Sequence, residues 1–329
     1  MAVSVGILGV GFYVPEKVLT NEDIERMVDT SDIWIRERTG IRERHIAAPE
    51  EATSDMATKA AQRALEDAGV KPEELDLVVV ATVTPDHPCP SAACLVQNNL
   101  GAKNAAAFDL QAGCSGFVYS MIVTAQMIKS GFYKKVLIVG AEMVSRILNW
   151  EDRNTCVLFG DGAGAAVLGE VEEGYGILGV DMGADGSGGE NLMVPAGGSR
   201  RPATPETLAN KEHTVHMNGQ EVFKFAVQVM GRAAKNALQA ANMQPDELDL
   251  LIPHQANLRI ITSAAKRLKL PMDKVWVNID KYANTSAASI PIALAEAAAS
   301  GKLTKGMNIM LDGFGAGLTW AAVVMKWSK

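Results

Sequence analysis

The sequence predicts an α/β protein made of two related halves, and three observations support this prediction. Residues 61–77 (AQRALEDAGVKPEELDL) and 234–250 (AKNALQAANMQPDELDL) are identical at nine of seventeen positions. Alanine-rich amphipathic helices alternate with short apolar runs in both parts of the chain, a pattern typical of helices layered on buried strands. Similar glycine-rich motifs, GDGAG at 160–164 and GFGAG at 313–317, close each half in the same order.

The repeat indicates an internal duplication of about 150 to 170 residues, which is the size of a domain rather than of a solenoid repeat. We therefore divide the chain into halves at 1–172 and 173–329. With 329 residues and 48% hydrophobic content, both halves can bury a large shared core. A pseudo-twofold pair would place corresponding loop ends at one cleft, where α/β proteins usually bind their ligands.

The elements follow from apolar runs and their spacing. The apolar start, residues 3–14, lacks a basic leader and contains glycines, so it predicts a buried first strand rather than a signal peptide. Further strands are expected at 77–83, 105–110, 135–140, 250–253, 275–279 and 308–311. Long helices are expected at 117–128 and 287–299. Strands that alternate with helices predict mainly parallel sheets.

Residues 185–210 connect the two halves and are rich in Gly, Pro, Ser and Thr. This composition predicts a long surface excursion near the cleft, and an insertion without a role is an equal alternative.

Composition excludes several classes of function. A net charge of −7 argues against a nucleic-acid-binding protein, and no apolar stretch reaches the roughly 18 residues of a membrane span. The four cysteines form no C-x-x-C pair, which argues against a zinc ribbon or a disulfide scaffold and favours a reducing cytoplasm. The histidines at 45, 87, 213 and 216 form no convincing ligand set, so we expect no metal.

Three short polar segments stand where a predicted strand gives way to a loop or helix. They are residues 111–117, 253–257 and 284–289. If they converge, Cys114, His254 and Asn284 supply a thiol, an imidazole and a carboxamide. A thiolate attacks thioesters well, and two hydrogen-bond donors can hold the oxyanion or enolate that forms, so the set predicts acyl transfer.

Cys114 precedes the predicted helix 117–128 and is flanked by Gly113 and Gly116. The positive end of the helix dipole favours thiolate, so we expect a lowered pKa without a basic neighbour. Most lone cysteines are inert buried groups, and Cys94 and Cys156 receive that interpretation.

Purely structural roles remain open for His254 and Asn284. His254 could be a core histidine with all its hydrogen bonds made, and Asn284 could simply cap the helix at 287–299.

The motif G-x-G-x-x-A at 160–165 does not predict a dinucleotide site, because Val167 and Leu168 look like a strand and glycines interrupt any helix that would follow. Tight strand packing, or contact with the active-site loops, is the preferred explanation of that motif.

The motifs together resemble the β-ketoacyl-acyl carrier protein synthase III family over nearly the whole chain. The matching segments are QAGCSGF (111–117), PHQANLRI (253–260), NTSAAS (284–289) and GFGAG (313–317), with further matches at 30–34, 38–44, 90–94 and 159–162. The resemblance implies a thiolase-like fold in a layered αβαβα arrangement, a homodimer, and initiation of fatty acid synthesis without a metal or redox cofactor.

The resemblance also implies the chemistry. An acyl-CoA primer would load its acyl group onto Cys114, and malonyl-acyl carrier protein would then lose carbon dioxide and attack the acyl-enzyme. His254 and Asn284 would donate hydrogen bonds to the malonyl thioester carbonyl, while the backbone amides of Cys114 and Ala316 would form an oxyanion site.

Substrate contacts follow from the same resemblance. Trp34 and Arg153 would sandwich the adenine of CoA, with Arg38 near phosphate, Asn257 on the pantetheine arm and Lys224 at the entrance. The residues implied to dock the acidic carrier protein are Arg259, Lys266 and Arg267. For Lys269 a simple solvated face is an equal alternative.

Two departures from the family pattern concern specificity and the oxyanion turn. Cys89 stands where acetyl-selective members carry a phenylalanine at the end of the acyl pocket, to which Phe314 is also assigned. The smaller side chain predicts primers longer or more branched than acetyl. Ala316 replaces a more usual glycine, which questions the turn geometry but keeps the amide.

Three other functions remain as alternatives. They are a related enzyme that primes polyketide or secondary-metabolite synthesis, a non-catalytic acyl-CoA-binding protein and, remotely, a papain-like hydrolase.

Overall fold

The structure is a computed structural model that describes residues 3–329. This part of the chain forms thirteen strands and ten α-helices. The strands are β1 (Val5–Tyr13), β2 (Lys17–Thr20), β3 (Glu43–Ile46), β4 (Leu77–Ala81), β5 (Ala106–Leu110), β6 (Val136–Met143), β7 (Asp161–Glu170), β8 (Gly176–Ala184), β9 (Leu192–Met193), β10 (His216–Met217), β11 (Leu250–Pro253), β12 (Asn308–Gly315) and β13 (Thr319–Lys326). The helices are α1 (Asn21–Glu25), α2 (Asp32–Thr39), α3 (Thr53–Ala68), α4 (Ala92–Leu100), α5 (Gly116–Lys129), α6 (Pro205–Ala209), α7 (Gly219–Ala240), α8 (Leu258–Leu268), α9 (Ile279–Tyr282) and α10 (Ser289–Ala299). Short 3₁₀ turns lie at Pro72–Glu74, Val144–Ile147, Gly186–Asn191, Pro245–Glu247, Met272–Lys274 and Ser286–Ala288.

Two main sheets repeat one topology. The first has the order β1-β7-β6-β4-β5, and the second, read from its edge, has the order β8-β13-β12-β11. In the first sheet β4 is parallel to β6, whereas β7 is antiparallel to both β6 and β1. In the second sheet β11 is parallel to β12, whereas β13 is antiparallel to both β12 and β8. The proposed division at residues 172 and 173 falls in the connection between β7 and β8.

The prediction of mainly parallel sheets is wrong. Parallel neighbours need a long crossover connection, usually a helix, but β6 leads to β7 without an α-helix and β12 turns directly into β13. The strand expected at 275–279 is reduced to one bridge between Leu251 and Val275, because a 3₁₀ turn ends at Lys274 and α9 already begins at Ile279.

The duplication is visible in one of the two sequence repeats only. Residues 61–77 and 234–250 form the corresponding units α3–β4 and α7–β11. The motif at 160–164 instead enters β7, whereas the motif at 313–317 ends β12, so these glycine-rich segments belong to strands that do not correspond. Gly164 packs tightly against α10, since a Cβ there would lie 2.6 Å from the Ile292 nitrogen.

Helices and sheets form five layers, so the predicted αβαβα arrangement is confirmed. One core lies between the sheets and contains α5 and α10 together with inward residues such as Val79 and Ile252. The outer face of the first sheet packs on α3 and α4, and that of the second packs on α7 and α8. Because both faces of these strands are buried, their sequences are continuous apolar runs.

The excursion predicted at 185–210 holds a 3₁₀ turn, β9 and α6, and β9 pairs with β10. Leu192, Met193 and Val194 of this segment line a cavity beside Cys114, so the excursion does reach the cleft. Among residues 3–329, no helix has both the length and the apolar character needed to span a membrane.

Candidate active site

The thiol of Cys114 lies in the loop between β5 and α5, against the turn that follows β12. Gly113 has φ +55°, and a Cβ on it would lie 2.6 Å from the Ala316 nitrogen. A Cβ on Gly315 would lie only 2.3 Å from the Cys114 nitrogen. Glycine at these two positions therefore lets the loops interlock and brings the amides of Cys114 and Ala316 to the thiol.

Burial controls the ionisation of this thiol. Cys114 is buried, and burial raises its pKa to about 11. The amides of Cys114 and Ala316 and the hydroxyl of Ser286 oppose this shift, the hydroxyl lying 3.3 Å from the sulfur. The expectation of a lowered pKa is wrong, because loss of hydration outweighs the stabilisation from nearby donors. The resting group is a neutral thiol.

His254 follows β11 and is held by its backbone N–H, which donates to the Asp312 carbonyl at 2.8 Å. Its Nδ1 lies 2.5 Å from Ser289 Oγ, which also accepts the Gln255 N–H. We assign the Ser289 hydroxyl as the donor to Nδ1, and with this assignment the ring proton lies on Nε2. Burial lowers the pKa of His254 to about 3, so the ring is neutral. Nε2 has no hydrogen-bond partner in the described chain and is available as a donor.

Both backbone groups of Asn284, its N–H and its carbonyl, form hydrogen bonds. Its N–H donates to the Leu158 carbonyl at 3.0 Å, and its carbonyl accepts the Gly160 N–H at 3.1 Å. Its Oδ1 accepts the Ser286 N–H at 2.9 Å. Since a backbone N–H can only donate, the side-chain oxygen is identified and the NH₂ group is left as a donor. The capping alternative is wrong, because Ala288 precedes α10 without a side-chain capping hydrogen bond and Asn284 bonds the Ser286 amide instead.

These three side chains converge. A narrow cavity of about 90 Å³ is lined by Cys114, His254 and Asn284. A larger cavity of about 460 Å³ adjoins it, and Cys114 lines this one too. The larger apolar residues of its wall are Val83, Val144, Ile147, Phe159, Leu192, Met193, Val194 and Val215. The sulfur therefore stands where a narrow passage with two donors meets a wide apolar chamber.

Four residues expected to bind CoA form a connected group beside the narrow cavity. Asn257 lines that cavity, and its Nδ2 donates to the Arg38 carbonyl at 3.1 Å. The guanidinium groups of Arg38 and Arg153 lie 5.9 and 5.2 Å from the centre of the Trp34 ring. Because the Arg153 guanidinium already lies over the Trp34 indole, the adenine ring of CoA can enter between these two side chains only after Arg153 moves away. Lys224, the fifth expected residue, is exposed and bonds Glu221 at 2.6 Å.

Neither residue expected in the acyl pocket lines the larger apolar cavity of this chain. Cys89 lies in an exposed loop between β4 and α4. Phe314 lines the narrow cavity instead and meets the His254 ring edge-on at 5.3 Å. Strand alternation explains this position, because Phe314 shares the face of β12 that packs under α7.

The basic residues expected to dock the carrier protein stand on α8, directly after the loop that carries His254. Arg259, Lys266 and Arg267 are exposed, and none of them forms an ion pair with another residue in the range 3–329. Lys269 is also exposed, at the end of the same helix.

The sequence did not single out Ser289, Ser286 or Glu142. Both serines lie inside or beside the third polar segment, so the signal for them was present. Glu142 is the one charged residue in the apolar strand VLIVGAEM, which is also a recognisable signal. The described residues contain no group of three or more His, Cys, Asp and Glu side chains placed to hold a metal ion.

Comparison with known proteins agrees with this geometry. Models of 3-oxoacyl-[acyl-carrier-protein] synthase III and of its C-terminal region match residues 108–186 and 238–327. A β-ketoacyl-[acyl-carrier-protein] synthase III from Caldanaerobacter subterraneus is 62% identical over 327 residues, 99% of each chain. The chain belongs to the 3-oxoacyl-[acyl-carrier-protein] synthase III family.

Solved structures of similar proteins show the same architecture. The synthase III from Aquifex aeolicus is 49% identical and superimposes with a TM-score of 0.91, covering 98% of this chain and 100% of that one. A priming β-ketosynthase from the R1128 polyketide pathway is 37% identical, also with a TM-score of 0.91, covering 100% and 98%. Membership of the synthase III family confirms the thiolase-like fold and an acyl-transferring condensing enzyme of fatty acid biosynthesis.

Proposed function

We propose that this chain condenses an acyl-CoA primer with malonyl-acyl carrier protein through an acyl group carried on Cys114. The observation that supports the proposal is the position of the sulfur between a narrow passage with two hydrogen-bond donors and an apolar chamber. No metal or redox cofactor takes part in the proposed reaction, because every step uses groups of the chain and its thioester substrates.

In the loading step, the acyl carbon of the primer meets the sulfur while its oxygen accepts the amides of Cys114 and Ala316. Those amides are fixed before substrate arrives, so stabilising the developing oxyanion needs little reorganisation. The CoA thiol leaves through the passage lined by Asn257, and the acyl chain occupies the apolar cavity.

In the condensation step, the malonyl thioester carbonyl accepts hydrogen bonds from His254 Nε2 and Asn284 Nδ2. Loss of carbon dioxide places negative charge on that oxygen, and donors aimed at charge that appears in the transition state lower the barrier. The resulting carbanion attacks the acyl group, and the Cys114 sulfur leaves. A neutral imidazole suits this role, because it donates a hydrogen bond without losing its proton.

The contacts with CoA and with the carrier protein, which lie outside the reaction centre, are part of the same proposal. Trp34, Arg38 and Arg153 receive the nucleotide end of CoA, with Asn257 and Lys224 along the passage. Arg259, Lys266 and Arg267 form an unpaired basic surface near the His254 loop, which suits an acidic carrier protein through its local field despite the acidic whole molecule.

The primer is proposed to be longer or more branched than acetyl. A cavity of about 460 Å³ with an apolar wall is larger than a two-carbon group requires. If residue 89 limits the pocket as the family resemblance implies, Cys89 must act from a second subunit, since it does not line the cavity of its own chain. A turnover of acetyl-CoA far above that of every C4 to C8 acyl-CoA would contradict the proposal.

A homodimer is proposed because β5 is an open edge of the first sheet. Its residues Phe108 and Leu110 are only partly covered, and proteins seldom leave an apolar edge strand unpaired. A second copy would cover this edge. The free exposed thiols of Cys89 and Cys94 suit a reducing cytoplasm.

Mass spectrometry after incubation with a panel of acyl-CoAs tests the proposal directly. We expect a mass increase of one acyl group at Cys114 and none in Cys114→Ser. His254→Ala and Asn284→Ala should still load the primer but lose malonyl decarboxylation. Unimpaired condensation by all three variants would refute the assignment.

A polyketide-priming role is the second candidate, and the similarity to the R1128 priming ketosynthase favours it. Rates with fatty acid and polyketide carrier proteins, and with malonyl-CoA, separate the two roles. A passive acyl-CoA-binding protein would show no iodoacetamide labelling of Cys114 that acyl-CoA blocks.

A further inference from the structure

A buried carboxylate lies behind the nucleophile and has no part in the mechanism above. Glu142 stands at the end of β6, with none of its side chain exposed. It accepts hydrogen bonds from the Val83 amide at 3.2 Å, Thr84 Oγ1 at 2.7 Å, Thr82 Oγ1 at 3.3 Å and Ser286 Oγ at 3.0 Å. All of these groups donate, and donors of this kind favour the ionised form of a carboxyl group.

The Ser286 hydroxyl connects this carboxylate with the thiol. Its oxygen lies 3.0 Å from Glu142 Oε1 and 3.3 Å from Cys114 Sγ. A hydroxyl has one hydrogen, so it cannot donate to both neighbours at once. Either the thiol donates to Ser286 while Ser286 donates to ionised Glu142, or protonated Glu142 donates to Ser286 while Ser286 donates to the thiolate. The two arrangements differ only in the positions of two protons along the chain.

Ser286 is held in place for this contact by Asn284. Asn284 Oδ1 accepts the Ser286 amide, and Ser286 has φ +51°, an unusual backbone conformation for a residue other than glycine. A strained position that persists beside a reactive group is a common feature of functional sites.

We propose that Glu142 accepts the proton of Cys114 through the Ser286 hydroxyl during acyl loading. Glu142 is a positioning residue in this scheme, since it touches neither substrate nor sulfur. The inference rests on the proposed role of Cys114 as the nucleophile and adds the destination of its proton.

The pKa values of Cys114 and Glu142 determine which of the two groups holds the proton before the reaction starts. Burial raises the pKa of Cys114 to about 11 and that of Glu142 to about 7. Near pH 7 part of the Glu142 population is therefore ionised, whereas the sulfur still holds its proton. Because the resting thiol has the higher pKa, the proton leaves it only as the sulfur–carbon bond forms and makes the S–H group more acidic. His254 faces the same thiol and is neutral. Asp161 on the adjacent β7 bonds Ser145 and the Ala47 amide, and Asp86 bonds Ser54, so neither carboxylate joins the chain.

The step balances. As the sulfur–carbon bond forms, the S–H proton moves to Ser286 Oγ and the Ser286 proton moves to Glu142. When the bond between the acyl carbon and the CoA sulfur breaks, Glu142 returns its proton to Ser286 Oγ and the Ser286 hydroxyl passes its own proton to the CoA sulfur, so the CoA thiol leaves neutral and Glu142 is ionised again. In condensation Glu142 first takes a proton from water and passes it through Ser286 to the expelled Cys114 thiolate, which restores the thiol and the ionised carboxylate and accounts for the one proton that decarboxylative condensation consumes.

The test measures single-turnover acylation of Cys114 against pH, by mass spectrometry of quenched samples. We expect the wild-type rate to rise through an inflection near pH 7, following ionisation of Glu142. Glu142→Gln keeps the shape of the side chain but cannot take the proton. It should load about 10²-fold more slowly, a typical contribution of general base catalysis, and lack the inflection. Ser286→Ala should behave in the same way, and Glu142→Asp should recover part of the rate and the inflection.

Asp161→Asn is the matched control, because Asp161 is also a buried, hydrogen-bonded carboxyl with a raised pKa. This variant should keep the wild-type pH profile. The proposal is overturned if Glu142→Gln and Ser286→Ala retain the inflection, since a purely structural residue would change the rate without moving the profile.

Alkylation of Cys114 by iodoacetamide needs no acyl substrate and is measured in parallel. If Glu142→Gln changes its pH profile while no acyl-CoA loads the wild type, the substrates of the proposed function are wrong but the proton path is supported. If acyl-CoA loads normally and both variants match the wild type in both assays, the proton path alone is wrong.

Discussion

Replacing Gly315 by alanine tests whether the oxyanion site depends on the interlocked loops. The new Cβ would lie 2.3 Å from the Cys114 nitrogen and 3.1 Å from its Cα. Ordinary contacts begin near 3.4 Å, so the two loops must separate by about 1 Å in a close-packed interior. This movement would take the amides of Cys114 and Ala316 out of their common alignment.

The expected effect is a loss of about 10²- to 10³-fold in the rate of acyl loading, equal to removing one oxyanion donor. The KM for acyl-CoA should change little, because Trp34, Arg38 and Asn257 are elsewhere. Overpacking should also lower the free energy of unfolding by about 1 to 3 kcal/mol. Quenched single-turnover acylation measures the loading rate, and urea denaturation measures the free energy of unfolding.

Gly198→Ala is the control, since a Cβ there meets nothing within 4 Å. It should match the wild type in both measurements. The reasoning fails if folded Gly315→Ala loads acyl groups within about threefold of the wild-type rate, because the loops would then tolerate separation without harm to catalysis.

Two further predictions concern buried polar groups around the site. Ser289→Ala removes the donor to His254 Nδ1 and should slow malonyl decarboxylation by about fivefold, the worth of one hydrogen bond of about 1 kcal/mol, while acyl loading stays unchanged. An equal loss in loading would show a general disturbance instead. Asp312 is buried with neither carboxylate oxygen paired within the described chain, and its pKa is raised by burial and by Asp181. The folded state therefore holds a proton that the unfolded chain releases above about pH 4, so stability falls as pH rises from there. In urea unfolding, the free energy of unfolding of Asp312→Asn minus that of the wild type should be larger at pH 8 than at pH 5. The same difference at pH 5 and at pH 8 would contradict this account.

Two of the three candidate catalytic loops were predictable because each follows an apolar strand. Cys114 and His254 follow strands of different sheets, and the repeat at 61–77 and 234–250 already implied that such ends meet. Asn284 was recognisable as a polar break before an alanine-rich helix. Positions of this kind depend on local pattern and topology, both of which one sequence contains.

The errors share one physical origin, which is that they depend on packing between distant segments. The pKa of Cys114 follows its burial under the 315–317 turn, and no local pattern reports that burial. The antiparallel β6–β7 and β12–β13 pairs depend on how the chain returns after each strand. Glu142 carries an obvious charge, but its purpose becomes visible only when Ser286, 144 positions away, lies beside it.

The two halves carry residues of different function, Glu142 and Gly315, at corresponding positions of the duplicated fold. Leu77 pairs with Val136 in the first sheet, and Leu250 pairs with Ile309 in the second, so the two ladders correspond residue by residue. Extending that register makes Glu142 the counterpart of Gly315. Both residues reach the Cys114 loop from the end of the strand beside β4 or β11. In the second half, glycine lets backbone amides approach the sulfur, and in the first half, a carboxylate reaches it through a hydroxyl. Because either residue in the other's place would remove its function, the two halves could specialise only by losing their symmetry at this point.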